Sequence, residues 1–355
     1  MDSVSVKAPA NVKISGEHSV VYGGMGLSAA IALYATARVE ETGGDKLAIV
    51  LRDLNDSASF DAASLKKLYS EYGSRDASTP DGLSGYIARN EGLGKDMLPY
   101  ATIASRLLMQ HGVNPFGKKI TIHSDVPIQK GYASSAVCST AFTMALLKSS
   151  GKELDDTTSI DIARDGERIV HKNEAAGRMD VGPAYFGGYS VVSLSEGIKS
   201  AGIKTKINMV VFDTGPKPPT SVMVRAVREL HDKNTIETDK VLREIDDCVV
   251  KCIDALKKGD MDALGKQMSR NHILLKKLGV SSQGLDKAVL IATSNGAYGA
   301  KLCGGGGGGM GVALVGGSTE AQKVIGALKS NGFDAYEVKI SLKGAKQQAY
   351  FKQMA

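Results

Sequence analysis

The sequence predicts an α+β protein of two domains, and three observations carry that expectation. The chain has 355 residues, 43% of them hydrophobic, which is enough to bury two cores or one large one. Its second half runs through helical patterns from 216 to 297 and then through AYGAKLC, six consecutive glycines, GVALVGG, TEAQKVIGALKSNG and DAYEVKIS. That order reads strand, loop, strand, helix, strand, with helices packed around it, an α+β layer pattern. No period of roughly 20–50 residues repeats, which argues against solenoids and propellers. The division is placed between residues 1–200 and 201–355, in the polar stretch SEGIKSAGIK.

Each element has a local reason. VSVKAP and VKIS are strand-like, GEHSVVYGGMG is turn-prone, and SAAIALYATARVEE is strand-like again. Residues 52–96 are polar and turn-rich, with a short helix expected near SLKKLYSEY. LPYATIASRLLMQHG repeats apolar residues at helical spacing, and KKITIHSDVPI alternates as a strand does. SSAVCSTAFTMALLKSSG opens with small apolar residues and reads as a buried helix. Asp155 or Asp156 is placed to cap the next helix, TSIDIARDGERIVHKNEA. YFGGYSVVSL and KINMVVFDTG read as strands.

Composition narrows the function classes. The net charge is +6 and dispersed, with no Lys/Arg run interleaved with aromatics, so nucleic acid is not an expected partner. A mild positive field suits a small anionic substrate. Cys138, Cys248, Cys252 and Cys303 form no CxxC and no Cys/His cluster, so neither a disulfide framework nor a zinc site is read. No apolar run approaches the roughly 18 residues needed to cross a bilayer, and no signal-peptide pattern opens the chain. A soluble, cytoplasmic protein with no membrane partner is expected.

The glycine run poses a sharper question. Flexible linkers mix glycine with serine between polar flanks, whereas AKLC and GVALV are apolar and strand-like. A tight loop between two core strands fits better. Glycines there let a backbone approach an anion or another backbone without Cβ clashes; a ligand-free glycine hairpin fits equally. A second segment, DVPIQKGYASSAVCSTAFTMAL, runs from a strand through a loop into a helix start at Gly131, Ala133, Ser134 and Ser135. Unpaired N–H groups and the partial positive charge at a helix N-terminus suit phosphate. The two serines serve either as caps or as phosphate and metal ligands.

Three segments in this order, APANVKISGEHSVVYGG, VPIQKGYASSAV and AYGAKLCGGGGGGMGVAL, resemble the GHMP small-molecule kinase superfamily, and within it the mevalonate kinase family. NHILLKKLGVSSQGLDKAV and FDTGPKPPTSVMV resemble further parts of that family. The resemblance spans most of the chain and is thinnest from 45 to 100. It implies a ribosomal-protein-S5-like N-terminal domain and a ferredoxin-like C-terminal domain. It implies ATP and Mg²⁺ as cofactors, mevalonate as the small-molecule substrate, and a homodimer as the state common in the family.

The resemblance also assigns residues. ATP phosphates would lie against Lys130, Gly131, Tyr132, Ala133, Ser134 and Ser135, supported by Gly305, Gly306 and Gly307. Asp180 stands six residues before Phe186-Gly187-Gly188, the family spacing of the catalytic aspartate, which handles the proton of the acceptor hydroxyl. Glu167 with Ser135 would hold Mg²⁺. Glu17 and His18 match the acceptor-contacting motif, and Thr220 with Ser221 would line the acceptor pocket.

Two departures bear on the substrate. The family reads APGKV where this chain has Ala8-Pro9-Ala10-Asn11-Val12, so Asn11 replaces a lysine. Lys13 shares a strand face with position 11; it either supplies the missing charge or is an ordinary solvated strand lysine. The middle motif has Gln129, Tyr132 and Ala133 where the family has Gly, Leu and Gly. These changes keep open a GHMP kinase or decarboxylase for a phosphorylated mevalonate or a sugar, with Arg178 and Lys217 as the cations to inspect. They also keep open a homologue that binds nucleotide without turnover.

Overall fold

Two sheets, each faced by helices, organise the chain in a computed structural model that describes residues 2–75, 80–94, 96–126 and 133–353. The strands are β1 (Asp2–Ser15), β2 (Gly26–Glu41), β3 (Leu47–Leu51), β4 (Asp56–Phe60), β5 (Lys118–Ser124), β6 (Tyr189–Ser193), β7 (Gly197–Ser200), β8 (Asn208–Asp213), β9 (Gly299–Leu302), β10 (Met310–Val315), β11 (Asp334–Lys339) and β12 (Ala349–Gln353). The helices are α1 (Ala62–Gly73), α2 (Pro80–Arg89), α3 (Leu98–His111), α4 (Ser134–Ser149), α5 (Asp156–His171), α6 (Val181–Phe186), α7 (Thr220–Lys233), α8 (Thr235–Lys258), α9 (Met261–Lys277), α10 (Gln283–Ser294) and α11 (Ser318–Ser330).

The larger sheet runs β12-β1-β2-β5-β3-β4, with β6 on β2 and β7 on β6; the smaller runs β11-β8-β10-β9. Among the described strands the pairing is antiparallel except for β3 with β5. This is the α+β arrangement that the element pattern predicts. The two strand-like pieces at the start fuse into one strand, β1. The polar stretch from 52 to 96 holds more structure than its composition suggests. DSASF forms β4 against β3, and its largely exposed, polar side chains give it the look of a loop. The last described strand, β12, returns to the larger sheet and pairs with β1 from Asp2 to Val6.

The core explains why α4 was legible. Its residues from Ala136 to Leu147 are buried on every side, as a helix apolar all round must be. Alanines at 8, 10, 29, 35 and 37 of β1 and β2 are fully buried, which keeps that part of the sheet low. Burying Phe142, Met144, Leu146 and Leu147 contributes about 1.5–3 kcal/mol each. Helix α5 packs closely on α4, with the Ser139 side chain against the backbone of Gly166, where a Cβ would lie 1.9 Å from Ser139 Oγ. Asp155 caps α5, accepting from Thr158 N at 2.9 Å.

A buried charge network ties α5 to α1 and α3. Asp165 has no solvent exposure and accepts from Tyr72 Oη at 2.5 Å, Arg106 at 2.6 Å and Arg168 at 2.7 Å. Arg164 and Arg168 in turn donate to the carbonyls of Ala176 and Glu174, in the loop that leads to Asp180. Asp165→Ala leaves two half-desolvated guanidiniums short of a carboxylate, so an unfolding free-energy loss of about 3–5 kcal/mol is expected from urea titration. A loss below about 1 kcal/mol, the scale of a solvated surface pair, would contradict this account.

Candidate active site

Two faces of β1 have different neighbours. Val12 and Ile14 point into the core with Ala10, and Asn11, Lys13 and Ser15 point the other way; all are buried. On that second face Lys13 Nζ meets the Asp180 carboxylate and also donates to Asn11 Oδ1 at 3.0 Å. Asn11 Nδ2 donates to Asp180 O at 3.0 Å. Asp180 is the residue before α6, so the helix start and the strand face are clamped together. Burial pulls the Lys13 ammonium down most strongly, but the charge and hydrogen bond of Asp180, joined by Cys303 and Glu17, together outweigh it and hold the pKa above the ordinary 10.5. Lys13 is therefore a protonated cation at neutral pH, and Asn11 lies between it and the loop carrying Asp180.

The neighbouring turn carries Glu17 and His18. Glu17 is buried and paired with Lys301 of β9, which is itself fully buried. Lys301 Nζ also donates to Leu302 O at 2.6 Å. Glu17 Oε2 is buried with no hydrogen-bond partner among the described residues. His18 adopts φ 65° and places Nε2 3.1 Å from Gly305 O. Burial lowers its pKa below 6.5, so the ring is neutral at pH 7 and Nε2–H donates to that carbonyl.

The glycine run packs backbone against backbone. A Cβ on Gly306 would lie 2.0 Å from Val280 O, and on Gly308 2.5 Å from Pro216 O. Gly307 N donates to Val280 O at 2.8 Å. Gly305 faces Thr220, whose Oγ1 would be 3.0 Å from a Cβ there. The loop is thus wedged between the turn after α9 and the segment leading into α7. Lys217 in that segment packs on the glycine loop, where a Cβ on Gly309 would lie 2.8 Å from its Cδ, and its pKa is lowered by burial and then by the Lys13 charge. Arg178 is half-buried, two residues before Asp180.

On the other side, α4 begins with Ser134 and Ser135, both half-buried. Ala133 precedes them with φ 59°, a left-handed conformation that costs a non-glycine residue about 1–2 kcal/mol; the family glycine at this place would adopt it freely. Lys130, Gly131 and Tyr132 lie outside the described residues. Glu167 is buried, its Oε2 is 3.5 Å from His171 Nε2, and its Oε1 has no partner among the described residues. His171 is raised by that contact with Glu167. The α4–α5 crossing at Ser139 and Gly166 leaves Ser135 one turn before Ser139 and Glu167 beside Gly166. A buried carboxylate oxygen with no partner among the described residues is a donor of the kind Mg²⁺ takes, an ion that uses few protein ligands and completes its shell with phosphate and water. No cluster of three or more His, Cys, Asp or Glu able to hold a metal occurs among the described residues.

Sequence reasoning passed over Lys301 and His272 and gave Cys303 no place in the site. Cys303 Sγ accepts from Lys13 N at 3.1 Å, where β1 has a register shift against β2. His272 Nδ1 accepts from Leu302 N at 3.2 Å while Nε2 faces Asp286 at 3.2 Å. A lysine inside the apolar strand AKLC was the available signal for Lys301.

The chain belongs to the GHMP kinase family: residues 99–188 match the GHMP kinases N terminal domain and residues 252–334 match GHMP kinases C terminal. The particular enzymes it resembles are mevalonate kinases. One from Methanocaldococcus jannaschii is 30% identical over 316 residues, covering 87% of this chain and 91% of the relative. One from Pyrococcus furiosus is 29% identical over 355 residues, covering 98% and 99%. The crystal structure of the Methanococcus jannaschii mevalonate kinase matches with a TM-score of 0.75 at 26% identity, over 95% of this chain and 98% of that one. The GHMP kinase fold expected from the motifs is the fold that forms. No described helix is long and apolar enough to cross a membrane.

The lowered pKa of His18 has a signed consequence. The unfolded chain takes up a proton near the ordinary 6.5, while the folded chain does so only at lower pH, so folding stability falls as pH drops through that window. The wild type should lose stability relative to His18→Gln between about pH 6.5 and 5. Parallel denaturation curves for the two proteins across that range would contradict the buried, neutral ring.

Proposed function

We propose that the chain transfers the γ-phosphoryl group of ATP to the primary 5-hydroxyl of mevalonate. The observation that supports this most is the Lys13–Asp180 pair on the β1 face, next to the turn holding Glu17 and His18. The membership in the GHMP kinases and the mevalonate kinases among the relatives support the substrate.

Phosphoryl transfer asks the protein mainly for positioning and charge stabilisation. Asp180 is the group that orients the acceptor hydroxyl and takes up or guides its proton. Lys13, held protonated by Asp180, supplies positive charge beside the attacking oxygen. It does so from two residues beyond the place where the family carries its lysine, with Asn11 bracing the pair. The N-terminal amides of α4, with Ser134, face the phosphates. Glu167 and Ser135 would hold Mg²⁺, which neutralises phosphate charge when bound. His18 and Thr220 border the acceptor side through Gly305, and Glu17 shapes that side from its ion pair with Lys301. The same reading takes in a domain division at 200/201, a homodimer and a cytoplasmic location.

The test is ADP release from Mg-ATP with mevalonate, 5-phosphomevalonate and 5-diphosphomevalonate side by side. Turnover with mevalonate alone is expected; turnover only with a phosphorylated acceptor would replace the proposed substrate. Asp180→Asn should lower kcat by about 10²–10⁴-fold while leaving the KM for ATP near its starting value. Near-normal turnover by that variant would remove Asp180 from the chemistry.

A further inference from the structure

The turn that carries Glu17 and His18 is tied at both ends. Ser19 Oγ lies 3.2 Å from Gly16 O and 3.3 Å from Met25 O, sharing its proton between them. Gly16, at φ 100°, would bring a Cβ to 2.2 Å from Met25 O, so entry and exit of the turn touch backbone to backbone. The exit is then held from outside. Met25 N donates to Asp246 Oδ1 at 2.9 Å, across 221 residues of sequence, from a half-buried position on α8. Gly24 makes this approach feasible, since a Cβ there would lie 2.2 Å from Oδ1 and 2.6 Å from Oδ2. Asp246 touches neither Glu17 nor His18; its hold on them passes through Met25 O, Ser19 and Gly16.

We propose that Asp246 is a positioning residue for the acceptor. Its carboxylate, carried on a helix that follows the smaller sheet's first strand, sets the exit of the turn and thereby the place of His18 against Gly305. The inference rests on the reading of Glu17 and His18 as acceptor-side residues. Hydrogen bonds to a charged group are among the stronger ones a protein makes, and this one joins a helix of the C-terminal half to a turn of the N-terminal half. It fixes where the turn ends, not what the reacting groups are. Its loss therefore acts on acceptor binding and leaves the phosphate side alone.

The experiment compares Asp246→Ala, Asp246→Asn, Gly24→Ala and the Gly24→Ala/Asp246→Ala double variant. Steady-state kinetics with mevalonate are read alongside deuterium uptake of the peptide spanning residues 19–25. Asp246→Ala should raise the KM for mevalonate about tenfold, leave the KM for ATP unchanged and speed exchange at Met25. Asp246→Asn should retain most of the wild-type KM, because an amide oxygen still accepts from Met25 N. Gly24→Ala should reproduce Asp246→Ala by displacing the carboxylate, and the double variant should be no worse than Asp246→Ala alone. An unchanged mevalonate KM in Asp246→Ala, equal damage to both KM values, or additive effects of the two single changes would overturn the proposal. If the wild type turns over no mevalonate, the proposed function fails, and exchange decides the positioning role by itself. Faster uptake in Asp246→Ala than in wild type and Asp246→Asn supports it, and equal uptake in all three overturns it.

Discussion

Two ammonium groups stripped of water at the seam between the sheets govern the centre of this protein. Lys13 lies on β1 and Lys301 on β9, and both are buried. An unpaired ammonium in such a place would cost several kcal/mol or give up its proton. The chain supplies one carboxylate to each: Asp180 from the start of α6 and Glu17 from the turn after β1. Satisfying the buried charges therefore assembles the site. Asp180 and the turn that carries Glu17 and His18 are drawn to the seam by the same electrostatic need. Asn11 and Cys303 complete the arrangement by bonding the remaining polar groups of Lys13 and its neighbour.

The glycine loop serves the same seam by a steric route. It lies between the segment 216–220 and Val280, and several of its positions leave no room for a Cβ. It brings the carbonyl of Gly305 to His18 and its own backbone to Thr220. A loop with side chains would hold these neighbours apart. The run is thus no linker but the connection of the antiparallel pair β9 and β10, and its composition follows from backbones meeting at close range.

Much of this was legible from residue order. The strongly periodic α3 and α5 and the uniformly apolar α4 declare themselves, because each buries a face that water would otherwise wet. DSASF did not, since an edge strand with exposed polar side chains has no apolar alternation to read. Within the site, Asp180, Glu17, His18, Glu167 and Ser135 stood out through the resemblance of their segments to the GHMP kinases. Lys301 did not, because a single lysine in a short apolar strand has no pattern around it, and Asp246 did not, because a side chain bonding a backbone amide 221 residues away leaves no local trace. Contacts of that kind are set by how the two halves dock, which no window of sequence contains.

The thiol at the seam gives the molecule a reporter of its own. Cys303 is 4% exposed, and burial raises its pKa above 9.0, so in the closed protein it is both shielded and a poor nucleophile. An alkylating reagent meets it only when β1 and the end of β9 separate. The labelling rate of this one sulfur therefore measures how often the seam opens, and a bound ligand that bridges the two sides would register as a slower clock.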